Sequence, residues 1–556
     1  MKITITGFSG EFPRLHASRL PEGGAEIAQD VDFSGGTLQP RYSVAHETDL
    51  IPFSGGPTTR TTFKHYVGAA PYWLQFPSEC NVIVSPIKDD VSSRVYWSGD
   101  TRSPTGKLFY AYAPSMLTGG ALFPTQFFPL GIPAPTNIAT TVSNHPVVSA
   151  NDPTETRVYV FTYVNAIGEE SAPSLPSRPL TVPMSNAQVT LSGMLTDTGM
   201  GDYQIVKKRI YRSVVGSSGQ AVFEFVHEIA VADTSYVDTT ETLELSGVLQ
   251  TSSWSTPRDG LKGLGLTAYG VAYAFIGKIV CMSYPFHVYA WPREFELTTQ
   301  YEIVAIGHYE SNLIVATRGN PAIITGVDPI SGMQMTELPL NEACVSARSM
   351  VSMGHAAIYA SPNGLVMASA NGAELVTAAF FGKDEWQALN PSSIHAVEHR
   401  GKYLFFWSAL NGEQGAYLFD PSNVNGGIVR LSLYCIQAIR DMRSDTLYLL
   451  QENNVLQRFD DLALDRKPYR WRSRKYRADE AKGVRLLAAQ VVADSYDCIT
   501  FRIYADDQLL YQRSALNDKP FRLPNHSAKR YWQLEVEGTD TVMEICAAES
   551  LMEITA

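Results

Sequence analysis

Residues 157–165 read RVYVFTYVN, and the turn Gly168-Glu169-Glu170 follows closely. Tyr159, Phe161 and Tyr163 alternate with Val160, Thr162 and Val164. In a strand, that period of two sends successive side chains to opposite faces. Aromatic and β-branched residues suit such a pleated surface. Upstream, Pro129, Pro133 and Pro135 mark a leading linker. Downstream, 187–191 (AQVTL), 205–213 (IVKKRIYRS) and 222–231 (VFEFVHEIAV) continue the series. Short strands at this spacing, with turns between, describe a small β-sandwich over residues 128–255.

The same reading extends to both sides. In residues 256–465 the runs 312–317 (NLIVAT), 356–360 (AAIYA), 403–407 (YLFFW), 416–419 (AYLF) and 446–450 (TLYLL) each precede a polar or glycine turn. Pro362-Asn363-Gly364 and Asn411-Gly412 are strong turn signals. Hairpins repeating at some tens of residues suggest propeller blades. Residues 61–127 carry strand-like pieces at 62–67, 81–85 and 94–98 and read as the first part of the same propeller or platform. One short helix is predicted at 383–389, stopped by Asn390-Pro391.

The ends read differently. Glycines interrupt every apolar run in residues 1–60. That segment is predicted as an extended arm that gains order on neighbours, with 25–31 the only stretch suited to a short helix. Residues 466–556 are predicted as a last sandwich, with a hairpin at Asp506-Asp507. There Trp532, Leu534 and Val536 alternate with Gln533, Glu535 and Glu537, so one face is expected buried and the other wet. The predicted fold is therefore all-β: a β-propeller-like core, an inserted sandwich and a C-terminal β-sandwich.

Bulk properties agree with a multi-domain chain. At 556 residues it exceeds what one core can serve. The hydrophobic share of 45% and charged share of 18% belong to folded protein rather than disorder. The net charge of −12 opposes tight nucleic-acid binding, which rests on excess Lys and Arg. It suits a surface past which DNA slides. The six cysteines form no CxxC and no dense spacing, so buried free thiols in a reducing cytosol are expected. The N-terminus lacks the charged and apolar regions of a secretory signal. Residues 264–291 are the most apolar stretch, but Gly265, Gly270, Gly277, Lys278 and Pro285 break it, and no membrane span is expected.

His395-Ala396-Val397-Glu398-His399 matches the HxxEH of inverted zinc peptidases, a motif that needs a helix. Arg400-Gly401 and a strand follow it, so a hairpin is predicted instead. Gly263, Gly265 and Ala268 have dinucleotide-fingerprint spacing without the strand-to-helix context. Gly106-Lys107 lacks P-loop spacing, and no GxSxG is present. Asp89-Asp90 reads as a hairpin turn rather than an acid–base pair. No catalytic, cofactor-binding or metal-binding residue is therefore nominated, and the chain is not expected to be an enzyme. Arg466, Lys467, Arg470, Arg472, Arg474, Lys475 and Arg477 crowd one stretch with Tyr469, Trp471 and Tyr476. Such mixing serves either protein contact and solvent or single-stranded nucleic acid, and the acidic background favours the first.

Three stretches together carry a resemblance. Residues 156–174 (TRVYVFTYVNAIGEESAPS), 207–219 (KKRIYRSVVGSSG) and 223–239 resemble a fibronectin type III-like module of phage tail proteins. Residues 2–15 (KITITGFSGEFPRL) and 27–41 are similar to the N-termini of the same proteins, and 521–538 followed by Ala547-Ala548-Glu549-Ser550 to their closing sandwich. The chain thus resembles the tail nozzle, or tail tubular protein B-like, family of podovirus-type bacteriophages. The resemblance implies a structural virion protein assembled as a homohexamer in the host cytoplasm. Its implied partners are the tail adaptor or head–tail connector and a tail fibre or tip protein, with double-stranded DNA passing through the lumen. It implies no cofactor and no catalytic residues. The alternative is a receptor- or glycan-binding tail protein on the same scaffold. A sialidase-type propeller is disfavoured, because S-x-D-x-G-x-T-W boxes are missing.

Overall fold

The computed structural model describes residues 1–53, 58–102, 106–145, 151, 153–215, 221–478 and 483–555. Residues 216–219 of the fibronectin-like stretch lie outside the described residues. The chain forms two compact units. One holds Met1–Thr62, Tyr301–Thr325 and Met335–Ala556; the other holds Phe63–Gln300 and Gly326–Gln334. The fold is all-β and propeller-like: α-helix is confined, among the described residues, to Lys383–Ala388 and Leu551–Thr555.

In the first unit, sequence-consecutive strands pair antiparallel in blades of four. Val351–Ser352, Ala357–Ser361, Gly364–Ser369 and Gly372–Leu375 make one. His395–His399, Lys402–Ser408, Gln414–Phe419 and Ile428–Leu431 make the next. Local turn chemistry sets these hairpins. Arg400 and Gly401 both have positive φ, 50° and 76°, and close a two-residue loop between His399 and Lys402. Pro362-Asn363 closes the loop between Ser361 and Gly364. The predicted helix is present at Lys383–Ala388 and ends where Asn390 takes a φ of 56° before Pro391.

A third blade, Gln437–Asp441, Thr446–Leu450 and Val455–Arg458, is completed by Ala45–Asp49 from the start of the chain. Two more N-terminal strands behave alike. Lys2–Ile5 pairs antiparallel with Val542–Ala548. Ala25–Gln29 lies between Ile428–Leu431, its parallel neighbour, and Tyr469–Ser473, its antiparallel one. The expected arm is thus built into its own chain, and the expected short helix at 25–31 is strand. Ala25 and Ala28 are fully buried there, and the Glu11 carboxylate accepts the Ala28 amide at 2.8 Å. Tertiary pairing overrides the weak local preference of such a segment. Trp471 seals the seam. Its indole donates to the Ser9 carbonyl, and Phe8 meets its ring edge-on at 5.1 Å.

Residues 466–556 do form two facing sheets. Ile3, Ile5, Trp471, Val491, Phe501, Leu534, Val536 and Ile545 share their core. Asp506 and Asp507, at φ 49° and 67°, make the predicted hairpin between Ile499–Ala505 and Gln508–Ser514. One of these sheets continues through Ala25–Gln29 into the His395–Leu431 blade, giving ten strands. That sheet joins strands from both sides of the expected division at 465/466. The expected wet face of Tyr531–Gly538 is covered at two of its three residues: Gln533 and Glu535 are 3% and 0% exposed, whereas Glu537 keeps part of its side chain in solvent.

The second unit carries blades Asn81–Val84, Val95–Ser98, Phe109–Ala111, Phe128–Pro129 and Lys262–Leu266, Ala272–Ile276, Ile279–Met282, Leu297–Thr298. Between them sits the inserted sandwich. Thr140–Ser143, Val189–Ser192 and Tyr236–Asp238 form one sheet; Tyr159–Asn165, Ile205–Val215, Ala221–Ala230 and Ser246–Val248 form the other. Tyr159, Phe161, Tyr163, Val189, Leu191 and Ile210 lie in the shared core.

Every residue of the strand Tyr159–Asn165 is buried, so neither face is wet. Its second face packs Val160 on Tyr211 and Leu249. Its free edge is covered by a serine strap. Ser171, Ser174 and Ser177 donate their amides to the carbonyls of Tyr163, Phe161 and Tyr159 at 2.8–2.9 Å. Their hydroxyl oxygens accept the amides of the same three residues at 2.9–3.1 Å. Each hydroxyl proton goes to the next carbonyl, leaving the lone pairs free to accept. Pro173 and Pro176 interleave the serines and carry no N–H to satisfy. The strap thus seals an edge that would otherwise pair with another chain. Ser174→Ala leaves the buried Phe161 amide with no acceptor. It is expected to cost about 1–3 kcal/mol, read as a shift in the urea midpoint of the second unit.

Candidate functional site

Much of the basic stretch 466–477 is paired within its own chain. Arg470 donates Nε and Nη2 to the two oxygens of Glu535, each at 3.0 Å. Arg472 Nε reaches the same carboxylate at 2.7 Å, and Arg502 Nη1 at 2.9 Å. The three arginines meet there because Arg472, Glu535 and Arg502 are cross-strand partners in register. Burial by itself would raise the Glu535 carboxyl, but the hydrogen bond from Arg470 and the charge of Arg472 outweigh it and hold it low. The Arg472 guanidinium also lies 3.9 Å over the Tyr504 ring. Lys467 pairs with Asp30 at 3.2 Å, and Lys475 pairs with Asp507. Charge from Glu535, Asp30 and Asp507 thus answers much of the cluster.

The HxxEH residues lie on the strand His395–His399, as the hairpin reading predicts. The His395 ring stacks on Phe406 at 5.1 Å, and His399 stands edge-on to Phe459 at 5.3 Å. Burial, with the positive charge of Arg348, pushes His395 down to about 3. Burial, with the charges of Arg400 and Arg41, pushes His399 down to about 4. Glu398 forms an ion pair with Arg440. Two rings packed among aromatics and a carboxylate held by arginine do not make the helical face that zinc peptidase chemistry requires. Gly263 and Gly265 lie within the strand Lys262–Leu266, without the helix a dinucleotide needs. Asp90 accepts Arg94 Nε at 2.7 Å and the Ser92 amide at 3.0 Å, and Asp89 turns the chain at φ 53°. Four cysteines are buried and free as expected, whereas Cys80 is half-buried and Cys498 exposed. A cavity of about 410 Å³ beside the first strand is lined by residues 4–9, Glu22, Gly23 and Tyr476. Among the described residues no three His, Cys, Asp or Glu side chains have metal-ligand placement, and no helix is long and apolar enough to cross a membrane.

One titratable centre escaped the sequence reading. Glu169, in the turn after Tyr159–Asn165, is 2% exposed. Asn165 Nδ2 donates to its carboxylate at 3.1 Å, and Asn165 Oδ1 accepts the Glu169 amide at 2.8 Å. Arg94 Nη1, from the Asn81–Pro129 blade, stands 3.5 Å away. That guanidinium is already committed to Asp90, so it compensates Glu169 only in part. Burial outweighs Arg94 and Asn165 and pushes the Glu169 carboxyl up to about 7. Its neighbour Glu170 is a different case: Thr162, Arg209 and Tyr211 all donate to it.

The centre sits where the inserted sandwich rests on the blade. Asn165 Nδ2 also approaches Tyr110 OH at 3.4 Å. Lys107 Nζ donates to Tyr203 OH at 2.9 Å, and Tyr112 OH to Gln204 Oε1 at 2.7 Å. Ile167 packs against the blade core beside Tyr96, Tyr110 and Trp291. The Gly168-Glu169-Glu170 turn was visible in the sequence. Its partner Arg94 lies 75 residues away, and no local pattern joins them.

Comparison with known proteins identifies no relative by sequence: no family matches and no curated protein matches. Solved structures give only distant likenesses. BBS1N, solved in complex with ARL6DN, is 11% identical, with a TM-score of 0.24 over 45% of this chain and 86% of that one. The Neurospora crassa Pan2 WD40 domain is 9% identical, with a TM-score of 0.23 over 43% of this chain and 71% of that one. PorZ of Porphyromonas gingivalis is 11% identical, with a TM-score of 0.24 over 82% of this chain and 62% of that one. Likeness at this level carries no argument about what the chain does.

Proposed function

We propose that this chain is a structural virion protein, a subunit of the tail nozzle ring of a podovirus-type bacteriophage. In this reading a homohexamer extends the DNA channel below the adaptor and docks fibres or tip proteins. The observation that carries the proposal, beside the ordered sequence resemblance, is the ten-stranded sheet. Its strand Ala25–Gln29 ties a blade to the C-terminal sandwich through backbone hydrogen bonds, which suits a part that bears load. The pairing of Arg470, Arg472 and Arg502 with Glu535, Glu537 and Glu26 agrees with it, because a conduit wall must not grip phosphate.

Imaging of the purified chain, alone and on virions, tests this reading. Six copies in a closed ring at the tail end are expected. Three or twelve copies, or a ringless protein that binds defined glycans on an array, would overturn it. The latter result would favour the receptor-binding alternative.

A further inference from the structure

At the junction between the inserted sandwich and the Asn81–Pro129 blade, the polar contacts Lys107–Tyr203, Tyr112–Gln204 and Asn165–Tyr110 lie beside the apolar packing of Ile167. Small polar interfaces between folded modules permit relative motion unless something fixes them. The Glu169 carboxyl is buried at this junction, 3.5 Å from Arg94. We propose that Glu169 is a proton-operated latch: with its carboxyl neutral the inserted sandwich is held on the blade, and ionisation of that carboxyl loosens the junction.

The surroundings support this from every side. From the blade come Arg94, bound to Asp90, and the phenols of Tyr96 and Tyr110. From the sandwich come Asn165 and the carboxylate of Glu170, itself paired with Arg209. From the loop before Pro292 comes Tyr289, whose phenol feels both glutamates. Arg94 thus stands against two carboxylates, Asp90 and Glu169, so one negative charge is left over when both are ionised. A neutral Glu169 removes that excess. It still accepts from Asn165, and its own proton can be donated.

The direction follows from linkage. Burial raises the carboxyl from 4.5 in the free turn to about 7 in the closed junction. The closed state therefore binds more protons between those values. Its advantage is complete below about pH 4.5, is lost as pH rises to about 7, and changes little beyond.

Amide hydrogen exchange of the full chain tests the latch, with rates corrected for the intrinsic pH dependence of exchange. The segments to follow are 163–171 and 108–112. In the wild type, the opening equilibrium is expected to rise on the order of fiftyfold between pH 5 and pH 8, most of it by pH 7. Glu169→Gln should keep the junction closed and flatten that rise to within about threefold. Should that variant not fold, Arg94→Gln offers a second reading. It removes the cation, so the midpoint of the rise should move to higher pH. A wild-type opening equilibrium independent of pH, an unchanged rise in Glu169→Gln, or an unmoved midpoint in Arg94→Gln would overturn the proposal.

Discussion

Glu535→Gln is expected to destabilise the first unit by about 3 kcal/mol, the cost of leaving buried charge without its counter-ion. The side chain is fully buried and receives Arg470, Arg472 and Arg502. The amide keeps the shape but removes the negative charge, and its NH₂ must face donors. Arg470→Gln should cost less, about 1 kcal/mol, because Arg470 is 39% exposed and two cations remain. The pH dependence has a definite sign. The Glu535 carboxyl is held below its ordinary value. Its contribution is therefore present above the usual carboxylate range and is lost as pH falls through the depressed value. Urea unfolding followed by tryptophan fluorescence reads this directly, because Trp471 and Trp532 are buried in the same core. An unchanged midpoint in Glu535→Gln would show that the arginines can be solvated where they stand.

Deleting residues 1–49 is expected to have the largest effect of all: loss of the soluble, cooperatively folded first unit. The deletion removes Lys2–Ile5, Ala25–Gln29 and Ala45–Asp49, each a paired strand in a different sheet. It exposes the edge of Val455–Arg458 and separates the blade His395–Leu431 from Tyr469–Ser473. Unpaired edges beside buried apolar faces invite aggregation. It also strips Phe8 and the Ser9 carbonyl from Trp471. An arm that ordered only on neighbours would leave the remainder folded and soluble. Soluble yield and a melting curve of the truncated chain distinguish these outcomes. A cooperative transition near that of the full chain would refute the woven arrangement.

Much of the strand framework is legible from the sequence because turns and periodicity act over a few residues. Arg400-Gly401, Pro362-Asn363 and Asp506-Asp507 close hairpins where turn chemistry places them. Lys383–Ala388 is a helix ended by Asn390-Pro391 for equally local reasons. The neutralised basic stretch is partly legible: alternation puts Arg470 and Arg472 on one face, but nothing nearby announces Glu535 opposite them.

What the sequence by itself determined, then, is the all-β class, the hairpins and the alternation within strands, all set by backbone sterics and side-chain period. The tertiary structure alone decided which edges those strands complete. Ala25–Gln29 is a strand rather than a helix because Ile428–Leu431 and Tyr469–Ser473 offer it hydrogen bonds on both sides. It also decided which polar faces lose their water. Gln533 and Glu535 alternate as a solvated face would, yet are buried by groups far away in the chain. Glu169 sits in an ordinary turn and becomes titratable near neutrality only because a blade 75 residues earlier closes over it. Desolvation depends on the whole surrounding volume, whereas sequence pattern reports only along the chain.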